Sequence, residues 1–139
     1  MTVPALIASL QAVLDSEQFI APYAFRVIAA GEGHCTLELP FRDSLARPGG
    51  IMNGPALMAA ADCAMWLAIK ASIGVERDAL TSEMSTAFLS PARGESVFCA
   101  ATILQLGKRR IYGSAECRGV SGKLFSHHTL SYVRLRDAP

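Results

Sequence analysis

Asp62 is the single acidic residue in the apolar run Pro55 to Ile69, PALMAAADCAMWLAI. A carboxylate set among Ala, Leu, Met and Trp is costly to bury unpaired, which points to a job for the charge. Two jobs suit it: attack on an electrophilic carbon, or removal of a proton from water. The competing reading is a structural carboxylate that caps a loop or pairs with an arginine. The run opens on Met52-Asn53-Gly54-Pro55, where Asn serves as a cap, Gly permits close backbone approach and Pro suits a first helical turn. Such a helix start presents unbonded N–H groups and the positive end of the helix dipole. It can hold a carbonyl oxygen as that oxygen becomes an oxyanion, although an ordinary helix cap has the same sequence.

The spacing constrains how these parts work together. Along one helix, Gly54 and Asp62 are separated by ~12 Å at 1.5 Å per residue, too far to grip one carbonyl group. If they serve one site, the oxyanion donor comes from one subunit and the carboxylate from its partner across a two-fold interface.

The elements that must position them follow from periodicity. Leu6, Leu10, Val13 and Leu14 recur at helical spacing near the N-terminus and predict an amphipathic helix there. Tyr23 to Ala30 and His34 to Leu39 read as a hairpin about the turn Gly31-Glu32-Gly33. The loop Phe41 to Gly50 leads into the long helix, which ends around Ser72 before Gly74. Four strands then follow, Leu80 to Leu89, Ser96 to Leu106, Arg109 to Arg118 and Leu124 to Leu135, with short turn-like breaks that favour antiparallel neighbours. The expected fold is α+β: an antiparallel sheet of about six strands around one central helix, preceded by an N-terminal helix, in a single domain, 1–139. Alternation in the Leu80 strand predicts one core face and one small, polar face. The Ser96 strand is apolar on both faces, so a helix or another subunit must cover the second.

Composition bounds the partners. The chain has 139 residues, 51% of them hydrophobic, enough for one core with apolar surface left for a subunit contact. A net charge of +1 with interspersed signs gives no footprint for nucleic acid or a membrane surface, and the expected partner is a small molecule. Cys35, Cys63, Cys99 and Cys117 form no CxxC pair and sit in apolar segments, as buried free thiols do in a reducing compartment. No basic leader region and no uninterrupted apolar run of membrane length is present, and the expected location is cytoplasmic. His34, His127 and His128 lack metal-ligand spacing, and no metal or other cofactor is expected.

With these parts in this order, the chain resembles the hot dog fold acyl-CoA thioesterases, in particular the PaaI-like, phenylacetate-type branch. The resemblance covers nearly the whole chain. Where that family commonly reads His-Gly-Gly with a catalytic acid nine positions after the His, this sequence has Asn53, Gly54, Pro55 and Asp62. The stretch Phe88-Leu89-Ser90-Pro91-Ala92 is similar to the family's Phe-Leu-x-Pro-Ala strand end. The resemblance implies Asp62 as nucleophile or general base and the Gly54 N–H as carbonyl polariser. It implies Thr81, with Ser82 as the register-slipped alternative, as the hydroxyl that holds water or orients the carboxylate. Asn53 keeps hydrogen bonding but cannot donate a proton as imidazolium does. Arg47 falls where some members carry an assisting polar residue; it meets substrate there or is a solvated loop charge. Met52, Met58 and Phe88 bear on acyl-pocket length.

The implied substrate is acyl-CoA, with water as acceptor, in a homodimer or homotetramer with sites at the subunit interface. Lys108, Arg109, Arg110 and Lys123, in or beside strand turns, are positioned to meet the polyanionic end of coenzyme A or are ordinary turn charges. The alternative is a non-catalytic acyl-CoA binding or regulatory protein, which has no need of Asp62. A hydratase is disfavoured, since the His expected five residues after the acid is Leu67.

Overall fold

The computed structural model describes residues 1–136. The expected single domain, 1–139, therefore extends three residues beyond the described part. Helix α1 spans Val3–Asp15, started by Thr2, whose hydroxyl accepts from the Ala5 N–H at 3.2 Å. Strands β1 (Arg26–Gly31) and β2 (His34–Leu39) form the expected hairpin. The first strand starts later than the sequence suggests. Residues Gln18–Tyr23 wind into a 3-10 helix around Pro22, and Ala24 takes a left-handed turn at φ 53°. The loop that follows also holds more order than expected: β3 (Ala46–Arg47) and β4 (Ile51–Met52) pair across Gly49 and Gly50, both at positive φ.

Helix α2 runs Gly54–Ile73, and strands β5 (Ala79–Phe88), β6 (Val97–Leu106), β7 (Arg110–Arg118) and β8 (Leu124–Arg134) complete one six-stranded antiparallel sheet in the order β1-β2-β6-β7-β8-β5. The sheet wraps α2, which lies across β2, β6 and β7. This is the expected hot dog architecture. By length and composition alone α2 could cross a bilayer, but here most of it is buried inside the fold, from Ala56 and Leu57 to Leu67, Ala68 and Ile69. The four cysteines are free and buried, as expected.

The one partly open stripe of α2 carries Pro55, Met58, Asp62 and Trp66, at helical spacing. Beside it β5 is a sheet edge with only β8 for a neighbour. The expected core face of β5 forms in the single chain only in part, through half-buried Met84 and Thr86. A bulge between Thr81 and Glu83 breaks the alternation, and Leu80, Phe88 and the following Leu89 are 57, 55 and 56% exposed. On β6 one face is core, through Val97, Cys99 and Ala101, while Leu104 and Leu106 on the strand's far half stay exposed.

Candidate active site

Asp62 is half-buried on the open stripe of α2, and the β5–β8 pair brings two hydroxyls to it. Thr81 Oγ1 donates to Asp62 Oδ1 at 2.6 Å, and the Tyr132 hydroxyl donates to the same oxygen at 2.5 Å. Thr81 and Tyr132 are direct register partners. The bulge places Ser82 out of line, and its hydroxyl instead donates to the Ser131 carbonyl at 3.1 Å. The geometry thus favours Thr81 over its register-slipped alternative. Asp62 Oδ2 has no hydrogen-bond partner among the described residues.

Tyr132 was not foreseen as a site residue. On an alternating strand a tyrosine reads as core, and it is 2% exposed. The one signal was its hydroxyl, which needs a partner when buried. Burial, then the neighbouring Asp62 charge, pushes the phenol well above its ordinary range, so it stays a donor at every working pH. A hollow of about 320 Å³ opens over this cluster, walled by Phe19, Trp66, Leu80 and Cys63. Burial, then Asp62, raises the Cys63 thiol to about 12, which keeps it from competing as a nucleophile.

Gly54 lies in a different hollow, of about 370 Å³, with Arg47, Met52, Leu57, Phe88 and Pro91. The Phe-Leu-Ser-Pro-Ala stretch noted in the sequence forms its wall. Asn53 caps the helix: its Oδ1 accepts from the Ala56 N–H at 2.8 Å and its Nδ2 donates to the Leu45 carbonyl at 2.7 Å. Its amide is engaged at both ends. The Gly54 N–H, first in the helix, has no partner among the described residues. A Cβ at Gly54 would stand 3.1 Å from the Phe88 ring, so the glycine lets that aromatic side chain cover the helix start.

Within one chain the carboxylate and the free N–H occupy separate hollows, as their spacing requires. Arg47 and Met52 belong to the Gly54 side. Arg109 joins neither hollow; it lines a basic one at the end of the sheet with Lys108. Arg110 opens β7 and is exposed, and Lys123 lies in the β7–β8 turn, at the opposite end of the sheet from the β6–β7 turn that holds Lys108 and Arg109. The four cations singled out in the sequence do not form one cluster. His128 is buried with Thr86 and Ser126 hydroxyls 2.8 Å from its two ring nitrogens and the Cys117 sulfur at 3.7 Å from Nε2. These groups line none of the hollows described and satisfy one another in the core. Among the described residues no group of three or more His, Cys, Asp or Glu side chains could hold a metal.

Residues 49–125 match the model of the thioesterase superfamily, a span that includes Gly54, Asp62 and Thr81. The chain belongs to the thioesterase superfamily. A protein of Thermoplasma acidophilum that carries an esterase name is 26% identical over 127 residues, 91% of this chain and 96% of that protein. Among solved structures, the conserved protein PA5202 of Pseudomonas aeruginosa is 27% identical with a TM-score of 0.81, covering 86% of this chain and 94% of that one. The PaaI protein of the E. coli phenylacetic acid degradation operon shares the fold at a TM-score of 0.84 with 17% identity, over 96% of this chain and 98% of that one. The superfamily chemistry, hydrolysis at a thioester, is what a free carboxylate oxygen and a free helix-start N–H are suited to perform.

Proposed function

We propose that this thioesterase-superfamily protein hydrolyses acyl-CoA to the free acid and coenzyme A, with each site shared between two copies of the chain. The observation that carries the reading is Asp62 with one oxygen held by two hydroxyls and the other without a partner among the described residues. The Gly54 N–H of one copy donates a hydrogen bond to the thioester carbonyl oxygen and, with the dipole of α2, stabilises the oxyanion. Asp62 of the other copy acts through Oδ2. As a base it takes a proton from water, the hydroxide adds to the carbonyl carbon, and collapse expels the CoA thiolate, which takes that proton back. As a nucleophile it forms a mixed anhydride and releases the thiolate, and water then cleaves the anhydride. Both routes consume one water and yield acid and thiol.

The exposed stripe of α2 and the apolar β5 edge support the second copy, because contiguous apolar surface beside an unpaired strand favours association. The uncovered far half of β6 suits a tetramer built from such dimers. Arg47 borders the Gly54 hollow, where it meets substrate, and Asn53 acts by fixing the helix start rather than by proton transfer. The buried free thiols suit a reducing, cytoplasmic setting. The reading is tested by thiol release from short, medium and aryl acyl-CoA thioesters with wild type and Asp62→Asn. Turnover that drops at least ~10²-fold in the variant supports it. Saturable acyl-CoA binding without turnover in either protein would favour the non-catalytic binding protein instead.

A further inference from the structure

Two side-chain rungs join α2 to the start of β5. In the first, Thr81 Oγ1 donates to Asp62 Oδ1, and in the second, Trp66 Nε1 donates to Asp78 Oδ1 at 2.7 Å. Asp62 and Trp66 are one helical turn apart, about 6 Å along the axis at 1.5 Å per residue. Both rungs line the hollow of about 320 Å³ over Asp62, so that space extends from the carboxylate to the indole. Behind the second rung lies a cation that the hydrolysis itself does not use. Lys70 is buried on α2, four residues beyond Trp66, with its Nζ 5.2 Å from the centre of the Trp66 ring and 3.9 Å from Asp78 Oδ1. The same amine donates to the Val75 carbonyl at 3.0 Å and to the Arg77 carbonyl at 2.7 Å. Three acceptors for three N–H donors make the burial of an ammonium tolerable. An apolar residue would carry no such demand. The lysine instead ties the turn after α2 to Asp78, and Asp78, which also accepts from the Ala79 N–H at 2.9 Å, holds the indole in place.

The open walls of the hollow are apolar. Phe19, on the 3-10 turn after α1, is 68% exposed, and Leu80 is 57% exposed. Hydrocarbon suits such walls better than the amides of a carrier arm, which need hydrogen-bond partners when they leave water. A volume of about 320 Å³ is at the small end of ligand pockets, which run from roughly 300 to 1,000 Å³.

We propose that this hollow receives the acyl group and that Trp66, held by Asp78 and Lys70, forms its end wall, so the site takes short acyl groups and excludes long chains. This use of the hollow rests on the thioesterase reading, while binding of the acyl group against the indole is measurable without turnover. Met52 and Phe88 lie in the Gly54 hollow, which leaves them to the carrier arm. Asp78 and Lys70 touch no reacting atom and act as positioning residues through Trp66.

Trp66 is the one tryptophan of the chain, so its fluorescence reads this wall directly. In full-length Asp62→Asn, hexanoyl-CoA should change the Trp66 emission and free coenzyme A should not. Wild type should favour hexanoyl-CoA over dodecanoyl-CoA in kcat/KM, and Trp66→Ala should move that ratio at least ~10-fold toward dodecanoyl-CoA, since a few methylenes admitted to or shut out of a pocket are worth that much. The milder Trp66→Phe, which keeps a ring but loses the bond to Asp78, should move it in a smaller step. Asp78→Ala should shift it in the same direction, and Asp78→Asn, which keeps the accepting oxygen, should restore the wild-type preference. Hexanoyl-CoA binding seen by calorimetry with Trp66 emission unmoved would overturn the proposal. So would an unmoved ratio in Trp66→Ala shown to be folded by circular dichroism. No hydrolysis of either ester by wild type, with the emission change intact and the same ratio expressed in binding affinities, would count against the thioesterase reading alone.

Discussion

Thr81 and Tyr132 face each other across the β5–β8 pair and aim their hydroxyls at the same oxygen of Asp62, at 2.6 and 2.5 Å. Two donors on Oδ1 fix the carboxylate's rotamer and leave Oδ2 as the oxygen for substrate or water. The arrangement pairs β5 with β8, two strands separated along the chain by β6 and β7.

Tyr132→Phe should keep the fold and lower kcat, because the ring that fills the core remains and only the hydroxyl goes. One hydrogen bond to a charged group is worth ~1.5–3 kcal/mol, so a loss of roughly 10- to 100-fold is expected, with KM little changed. Thr81→Ala should cost less than Asp62→Asn. The Thr81→Ala/Tyr132→Phe double variant should deviate from additivity, as both act on one oxygen. Steady-state kinetics on the four proteins checks this; a purely structural Tyr132 would lower the melting temperature and leave kcat per folded molecule intact.

The helix and the six strands could be read from period and turn residues, because a buried helix flanked by Asn-Gly-Pro and Gly74 leaves few other options. Asp62 stood out since a charge in an apolar run is hard to explain otherwise. Tyr132 did not, because nothing local distinguishes a core tyrosine from one whose hydroxyl reaches a carboxylate 70 positions away. The choice between Thr81 and Ser82 depended on a bulge, and bulges are set by pairing with β8 rather than by the residues of β5 alone. The exposed face of β5 shows the same limit: alternation tells which residues share a face but not whether this chain or a second copy covers it.

Asn53→Ala should destabilise the protein by about 1 kcal/mol, because the cap on the Ala56 N–H is lost. Asn53→His, which restores the family's commoner residue, should stay active while melting at a lower temperature, since imidazole caps a helix less well than an amide. Calorimetry with parallel kinetics reads both. An inactive but folded His variant would mean that the helix start depends on Asn for more than the cap.

Stability should fall at alkaline pH. Burial pushes Cys35 up to about 12, and burial followed by the Asp62 charge does the same to Cys63. In the unfolded chain these thiols titrate near ~8.5. Between those values the folded state holds protons that the unfolded state has lost, so the contribution is whole below about 8.5 and is lost as pH rises toward 12, by up to ~1.4 kcal/mol per pH unit for each thiol. Buried Tyr132 adds in the same direction at higher pH. Urea unfolding from pH 7 to 11 should show this decline, and Cys35→Ala should flatten it; an unchanged slope in the variant would contradict the assignment.

The shared site is tested most directly by pairing two defective chains. Gly54→Pro removes the N–H at the first helical position, with folding checked by circular dichroism because its added carbons crowd the Phe88 ring, and Asp62→Asn removes the carboxylate. Each alone should lose at least ~10²-fold in acyl-CoA hydrolysis. Co-expressed and purified together without separating the dimer species, the two variants should recover about a quarter of wild-type activity, because half of the dimers are mixed and each has one intact site. Thiol release at that level from the mixture, with none from either variant alone, is the predicted result. A mixture as inactive as its parts, with mixed dimers shown by mass spectrometry, would contradict a site built from Gly54 of one copy and Asp62 of the other.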